Sequence, residues 1–374
     1  MTFHPINEFI VKVASRCNIN CDYCYEYNLG DDSWKRQPKL MDIETVRVLG
    51  RRIAEHAQSH SVPSVFVSLH GGEPLLLGAD RLDETCNVLR EEIGDVTHLS
   101  LTMQTNAMLI NDDIVRIVKK HRISVSVSLD GEAESNDRHR VDHQGRGSHS
   151  RVVDGIARLQ AGAPEHFTGI LGVMDLRNDP IRTFDALAEF GVEWIDFLLP
   201  HHNWDRLPPR PNSDPLAYGR WYWEVYKAWT GDRHPGVTVR FLANIVSQLA
   251  GGQSVYEAMT LAPCTLITIA TDGSIEAVDC LKSTATGLHQ IGINVHGSSF
   301  DQAARAKLVS IRQSGEDQLS PECLACEFKR ECAGGYFPHR WGRDRGFNNP
   351  SVFCADLFWL VTQIRSDLVS RRNR

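Results

Sequence analysis

The sequence predicts an α/β fold built on a mainly parallel sheet, followed by a small cysteine-rich α+β region. Three observations predict it. Six short apolar runs alternate with segments of helical periodicity, and strands joined by helical crossovers pair in parallel. The alternation stops at Pro200, and from Cys264 the texture changes to short runs and clustered cysteines. The chain has 374 residues, 42% hydrophobic and 23% charged, enough for two buried cores. It has no apolar run of eighteen or more residues, so a transmembrane helix is not expected.

The elements follow in order. Residues 9–14 form the first strand. Residues 42–60 carry Ile43, Val46, Leu49, Ile53 and Ala57 at mostly helical spacing, with Asp42 as the N-cap. Residues 65–69 read as a buried strand. Helices are expected at 81–93, 112–121, 149–161 and 180–190, and strands at 99–104, 123–129, 167–174 and 194–199. Residues 145–149 read as a loop capping the helix that follows. Past a proline-rich stretch at 207–215, helical segments lie near 218–230 and 241–250, the second ended by Gly251-Gly252. Trp221, Trp223 and Trp229 on the first are expected in the core. Thr271-Asp272-Gly273, between runs 265–270 and 274–278, is a hairpin signature. A last helix is expected at 355–369. The division expected is 1–235 for the sheet domain and 236–374 for linker helices and the cysteine-rich domain.

The formal charge of −7, from 40 basic and 47 acidic residues, gives no general affinity for nucleic acid. The N-terminus lacks the basic start and apolar core of a signal peptide. The expected compartment is the cytoplasm, where ten cysteines are more often metal ligands than disulfides. They are unevenly placed, with three at 17–24 and four at 323–354.

Cys17, Cys21 and Cys24 follow the first strand with C-x3-C-x2-C spacing. Three thiolates on a tight loop can hold three irons of a [4Fe–4S] cluster, which normally takes four. The fourth iron is then open for a ligand. A zinc loop completed by Asp22 or a distant histidine is the alternative. His70-Gly71-Gly72-Glu73-Pro74 ends the second strand, the edge at which parallel α/β folds bind ligands. Its two glycines admit close backbone approach, and Glu73 can accept hydrogen bonds from an ammonium group.

Together these motifs resemble the radical S-adenosylmethionine enzymes. The resemblance implies a partial (β/α)6 barrel whose open iron binds the amino and carboxylate groups of S-adenosylmethionine. A one-electron reductant such as flavodoxin or ferredoxin then drives cleavage to a 5′-deoxyadenosyl radical, which abstracts a substrate hydrogen. Tyr23 matches the aromatic position near adenine. Gly71, Gly72, Glu73 and Pro74 match the GGEP motif, with Glu73 on the methionyl ammonium. Gln104 and Asn106 match a QTN motif at the end of the third strand. Ser128 and Arg140 match the pair that holds the methionyl carboxylate, a task suited to the arginine fork.

Cys323, Cys326, Cys332 and Cys354 resemble part of the SPASM domain, which in many peptide-modifying relatives carries two auxiliary clusters. Here the pattern is incomplete. Tyr336 and Val278 stand where that family has cysteines, and Cys264 alone remains of the first auxiliary set. The expectation is one auxiliary [4Fe–4S] cluster on Cys323, Cys326, Cys332 and Cys354, with a four-cysteine zinc site as the alternative. Cys86, Cys264 and Cys280 are expected as packed thiols. Asp279 matches an aspartate that serves as base in sulfatase-maturing relatives.

Residues 278–283, 334–340 and 346–354 resemble the FxsB-type branch, whose members build three-residue cyclophanes in ribosomal peptides; residues 177–180 and 197–201 match it too. That resemblance implies hydrogen abstraction from a side-chain Cβ of a precursor peptide. The carbon radical joins an aromatic ring two residues earlier, with an electron passing to the auxiliary cluster and a proton to Asp279. His201, His202 and Trp204, after the sixth strand, are candidates for the substrate mouth or a plain surface loop. The rival readings are another peptide or protein oxidation, such as formylglycine formation on a sulfatase or a thioether or ether crosslink, and a non-enzymatic iron–sulfur electron carrier. Neither nucleic acid nor a membrane is expected as a partner. Leader binding is expected to use the barrel, the tail domain or a partner.

Overall fold

The structure, a computed structural model, describes residues 3–254 and 256–372. The chain forms two compact units. The first comprises residues up to Leu129, Asn136–Gly169 and Cys264–Gln313; the second comprises Asp130–Ser135, Ile170–Pro263 and the chain from Ser314. A single cut after residue 235 does not describe this division. Segment Cys264–Gln313 returns to the first unit because its leading strand pairs with the first strand of the chain.

The strands are β1 (Glu8–Ala14), β2 (Ser64–Gly71), β3 (His98–Thr105), β4 (Ser124–Ser128), β5 (Phe167–Val173), β6 (Trp194–Leu198), β7 (Thr238–Val239), β8 (Leu266–Ile269), β9 (Ser274–Glu276) and β10 (Gln290–Asn294). The helices are α1 (Ile43–His60), α2 (Ala79–Ile93), α3 (Asp112–His121), α4 (Ala133–Asp137), α5 (His149–Gly162), α6 (Pro180–Ala188), α7 (Ala217–Thr230) and α8 (Arg240–Leu249). The rest are α9 (Phe300–Arg305), α10 (Lys307–Arg312), α11 (Pro321–Leu324), α12 (Lys329–Cys332) and α13 (Cys354–Arg372). In the first unit the strands lie in the order β10-β9-β8-β1-β2-β3-β4. β1 pairs in parallel with β2 and β8, and β2–β3 and β3–β4 are parallel too. The second unit holds the rest of β5 from Ile170, with β6 and β7. Neither run closes on itself, so this is an open parallel α/β sheet and not a full barrel. Among the described residues no helix is long and apolar enough to cross a membrane.

The two faces of the first unit's sheet differ in chemistry. Alternate residues of a strand share a face. Val65, Val67 and Leu69 of β2, Leu101 and Met103 of β3, and Val125 and Val127 of β4 are all buried. The alternating positions are Ser68 and His70, Thr102 and Gln104, and Ser124, Ser126 and Ser128, all half-buried. Register lines these up, with Lys12 opposite His70, Ser68 opposite Thr102 and Gln104 opposite Ser126. One face is therefore hydrocarbon for the helices, and the other is a row of polar side chains leading to the strand ends.

Asp42 caps α1 as expected, accepting from Thr45 N at 2.8 Å. The cap of α5 differs from the expectation. Ser148 makes no side-chain cap; Asp137 Oδ1 accepts from Ser148 N and His149 N at 2.9 and 2.8 Å instead. In the second unit Trp221 is buried, its Nε1 donating to Asn178 O at 3.0 Å, while Trp223 and Trp229 are half-buried. Tyr222 stacks on Phe241 at 4.5 Å.

Gly71 is a conformational requirement of this fold. Its φ is +146°, and a Cβ there would strike the backbone of Ala14. Gly71→Ala is expected to destabilise the protein by about 3 kcal/mol in urea unfolding. Gly297→Ala, where a Cβ meets nothing within 4 Å, should stay within about 0.5 kcal/mol of wild type in the same measurement.

Candidate active site

The loop carrying Cys17, Cys21 and Cys24 follows β1, and the end of β2 lies against its start. Gly72 N donates to Ala14 O at 2.9 Å and Glu73 N to Arg16 O at 3.0 Å. A Cβ on Gly72 would collide with the Arg16 carbonyl and the Tyr27 hydroxyl, so only glycine permits this approach. Two other segments pin the loop. Asn20 N donates to Val141 O at 2.7 Å, and His139 Nδ1 lies 2.8 Å from Asp22 Oδ1. From the end of β3, Asn106 Nδ2 donates to Asn18 Oδ1 at 2.7 Å and stands 3.8 Å from Cys17 Sγ.

The thiols sit where a proton is hard to lose without a cation. Burial pushes Cys24 up to about 12, with Cys21 and Glu26 adding to the rise. Burial, and then Glu73, raise Cys17 as well. A metal centre supplies the missing cation. Among the described residues, His56, His60 and Asp301 form the only group of three or more ligand residues with donor atoms within 4.8 Å of one another. A cubane takes one thiolate per iron, which three thiols on one loop can supply. The histidine group itself is a clasp. His56 Nε2 accepts from Ile6 N at 3.0 Å, so the ring proton lies on Nδ1 and faces Asp301 Oδ1 at 3.1 Å.

The expected S-adenosylmethionine residues gather beside the loop. Glu73 is 1% exposed. Its Oε1 accepts from Thr105 Oγ1 at 2.6 Å and Leu75 N at 3.1 Å, and its Oε2 from Asn106 N at 2.8 Å. A carboxylate has about four acceptor directions, so three brace the ends of β2 and β3 and one remains for an ammonium group. Burial raises Glu73, opposed by those bonds and by Arg140. Pro74 opens the short turn Pro74–Leu77 that follows. Arg140, 7% exposed, donates Nη1 to Tyr23 Oη at 2.9 Å. Gln104 Nε2 donates to Ser128 Oγ at 2.7 Å.

Asp279 lies in the same unit and is fully engaged. Its Oδ2 accepts from Tyr25 Oη at 2.6 Å and pairs with Lys12 Nζ. Its backbone N donates to Thr268 Oγ1 at 3.1 Å. Burial alone would raise this carboxyl, but Lys12, His70 and Tyr25 together hold it well below the usual range. Lys12 also reaches Glu26 Oε2 at 3.4 Å, and Lys282 Nζ takes Glu26 Oε1 at 2.7 Å.

The second thiol set lines a cavity. Cys323, Cys326, Cys332 and Cys354 line a cavity of about 70 Å³ together with Phe328, Pro350 and Phe358. Burial and the neighbouring sulfurs push Cys332 up to about 12 and Cys354 up to about 11. The turn beside them takes left-handed backbone at Ala333, Gly334 and Gly335, and the buried Arg340 binds its carbonyls, Ala333 O at 2.5 Å and Gly335 O at 2.7 Å. Four convergent thiols around a cavity fit an auxiliary cluster. The first auxiliary set does not fit one. Arg312, 3% exposed, directs Nη2 at Cys264 Sγ from 2.7 Å and Nη1 at Ala277 O from 2.9 Å. That sulfur already has a buried cation as its partner. Cys86 and Cys280 are buried thiols. His201 packs 6.1 Å from the Tyr336 ring and His202 Nδ1 lies 3.1 Å from Arg206 O. Trp204 donates Nε1 to Pro350 O at 2.8 Å with 45% of its surface exposed.

The fold and the three-thiol loop define a radical enzyme. The family model described as the Radical SAM superfamily matches residues 11–197, and the chain belongs to that superfamily. Its members use a [4Fe–4S] cluster and S-adenosylmethionine. Over 361 residues the chain is 25% identical to a cysteine-type anaerobic sulfatase-maturating enzyme of Clostridium novyi (strain NT), covering 94% of this chain and 93% of the relative. It is 23% identical to a serine-type anaerobic sulfatase-maturating enzyme of Klebsiella aerogenes, covering 90% and 80%. The solved structure of native anSMEcpe with bound AdoMet superposes with TM-score 0.83 at 18% identity, over 97% of this chain and 99% of that one. Streptococcus suis SuiB bound to precursor peptide SuiA superposes with TM-score 0.63 at 17% identity, over 93% and 75%.

Sequence reasoning missed Lys12, Tyr25, Glu26, Lys282, Arg312 and Arg340. Lys12 had a signal: it is the one charge between Phe9 and Ala14 in an apolar run, and a charge inside a buried strand needs a partner. Arg312 had none, because it meets Cys264 only through tertiary contact.

Iron analysis of the anaerobically reconstituted protein is expected to give about eight irons per chain and no zinc, four per cluster. Cys17→Ala should lower this to about four. About twelve irons, or one zinc with four irons, would refute the assignment.

Proposed function

We propose that the protein is a peptide maturase that joins an aromatic side chain to the Cβ of a nearby residue in a ribosomally made precursor, forming a three-residue cyclophane. The observation that carries this reading is the setting of Cys264, which Arg312 meets at 2.7 Å. By the resemblance, Val278 and Tyr336 stand where SPASM relatives have cysteines, so we read one auxiliary site as lost. The three-thiol loop, the residues around Glu73 and the 323–354 thiol set are all retained. Such a chain keeps radical initiation and one auxiliary redox site, and departs from the two-auxiliary-cluster pattern of the SPASM group. The resemblance of residues 278–283 and 334–354 to the cyclophane-forming branch supports the same reading.

Loaded with its cluster and S-adenosylmethionine, the site supplies a 5′-deoxyadenosyl radical that removes a hydrogen atom from the substrate. The chain's own residues do the positioning. Cys17, Cys21 and Cys24 hold the cluster. Tyr23, Gly71, Gly72 and Pro74 shape the nucleoside side, Glu73 takes the ammonium group, and Ser128 and Arg140 take the carboxylate, with Gln104 and Asn106 setting their neighbours. Asp279 accepts the proton that leaves the aromatic ring after the new bond forms. Cys323, Cys326, Cys332 and Cys354 hold the auxiliary cluster. The reductant is a small one-electron carrier such as flavodoxin or ferredoxin, and the reaction belongs in the cytoplasm, where thiols stay reduced.

A second reading, formylglycine formation on a sulfatase, is favoured by the near full-length similarity to sulfatase-maturating enzymes. One experiment separates them. The reduced protein with S-adenosylmethionine is expected to release 5′-deoxyadenosine. On co-expression with a short peptide encoded beside its gene, that peptide should lose two hydrogens per crosslink, with the new bond located by tandem mass spectrometry. An unchanged peptide mass together with oxidation of a sulfatase-derived peptide would establish the second reading. Absence of 5′-deoxyadenosine would overturn both.

A further inference from the structure

The environment of Asp279 contains more than a base requires. Lys12 projects from β1 and is 3% exposed. Burying an ammonium group costs several kcal/mol unless it is paired and hydrogen-bonded, so its position calls for a role. Its Nζ touches four groups from three parts of the fold. It pairs with Asp279 Oδ2 from the segment after β9. It lies 3.4 Å from Tyr25 Oη and 3.4 Å from Glu26 Oε2 on the cysteine loop, and 3.4 Å from His70 Nδ1 at the end of β2.

The neighbouring charges show why Lys12 acts on Asp279 in particular. The second buried cation, Lys282, is spent elsewhere, on Glu26 at 2.7 Å and Glu276 at 3.3 Å. Glu276 in turn lies 3.5 Å from His289 Nε2. Burial holds His70 and His289 near 4, so both imidazoles are neutral at ordinary pH. Lys12 is then the only cation in contact with Asp279 among the described residues. Lys12 and Tyr25 both engage Oδ2, which turns the carboxylate about a fixed edge.

Resting on the maturase reading above, we infer that Lys12 is the positioning residue for Asp279: its ammonium group keeps the carboxylate ionised and oriented, so that it can take the proton released after bond formation. Lys12 itself touches neither substrate nor cofactor in this scheme. Without it, burial raises the Asp279 carboxyl and the protonated acid accepts nothing. Proton acceptance then fails as pH falls, whereas in the wild type it is insensitive to pH because the carboxylate stays ionised. Glu276, pushed up to about 7 by burial, also feels Lys12 and Asp279, so every protein in the test carries Glu276→Gln to remove its carboxyl signal.

The test uses the reconstituted holoenzyme and four variants, Lys12→Met, Lys12→Arg, Asp279→Asn and the double Lys12→Met/Asp279→Asn. Infrared difference spectra at neutral pH are read first and need no turnover. In the Glu276→Gln background, Lys12→Met should show the carbonyl stretch of a protonated carboxyl, absent when Lys12 is intact or replaced by Arg and abolished in the double variant. Under turnover, Lys12→Met should still form 5′-deoxyadenosine within about threefold of wild type while crosslinked product falls by about a hundredfold. Its residual product formation should acquire an acid limb. Lys12→Arg should restore most of the coupling. No carboxyl band in Lys12→Met would overturn the inference. So would equal losses of 5′-deoxyadenosine and product, the signature of a merely structural role. If wild type crosslinks no peptide, the maturase reading fails, while the infrared arm still decides whether Lys12 sets the state of Asp279.

Discussion

The active site depends on one close backbone approach. β1 and β2 run parallel and in register, and at their ends Gly71 and Gly72 let β2 press against the Ala14 and Arg16 carbonyls. Any side chain would force the strands apart. That contact sets Glu73 beside the loop that carries Cys17, Cys21 and Cys24. Glu73 extends the brace to β3 through Thr105 and Asn106, and Asn106 returns to the loop at Asn18. Thiols, carboxylate and strand ends thus form one hydrogen-bonded ring, whose geometry comes from parallel strand register and the absence of two Cβ atoms.

The polar face of the sheet leads charge into this ring. Lys12, Glu26, Glu276, Asp279 and Lys282 are each at most 6% exposed. An unpaired charge at such depth would neutralise; these persist because each meets an opposite charge within the set. Such networks add little to stability over a hydrophobic core. Their value is that each group's protonation depends on its neighbours, so a carboxylate can be kept ionised in a place that would otherwise protonate it.

Two arginines show how the chain treats thiols in opposite ways. Arg340 binds the carbonyls of the Ala333–Gly335 turn and leaves the four sulfurs facing a cavity. Arg312 turns its guanidinium onto Cys264. The first arrangement leaves four thiols converging on a cavity, and the second gives a lone thiol a cationic partner.

The order of strands and helices was legible because each long element repeats its own period, and α3 spans its expected range of 112–121. The cysteine loop and the GGEP turn were legible because their ligands lie close together in sequence. The short elements β10, α4 and α9–α12 were not, since they are too brief to show a period. The interleaved division of the chain was also hidden, because pairing of β8 with β1 joins residues more than 250 positions apart. By itself the sequence determined the sheet, the three-thiol loop and the clustering of four cysteines at 323–354, all properties of residue type and local spacing. Only the tertiary structure decided that Arg312 meets Cys264 and that Lys12 meets Asp279. Such pairings are set by which strand ends the register brings together, and local spacing carries no record of that.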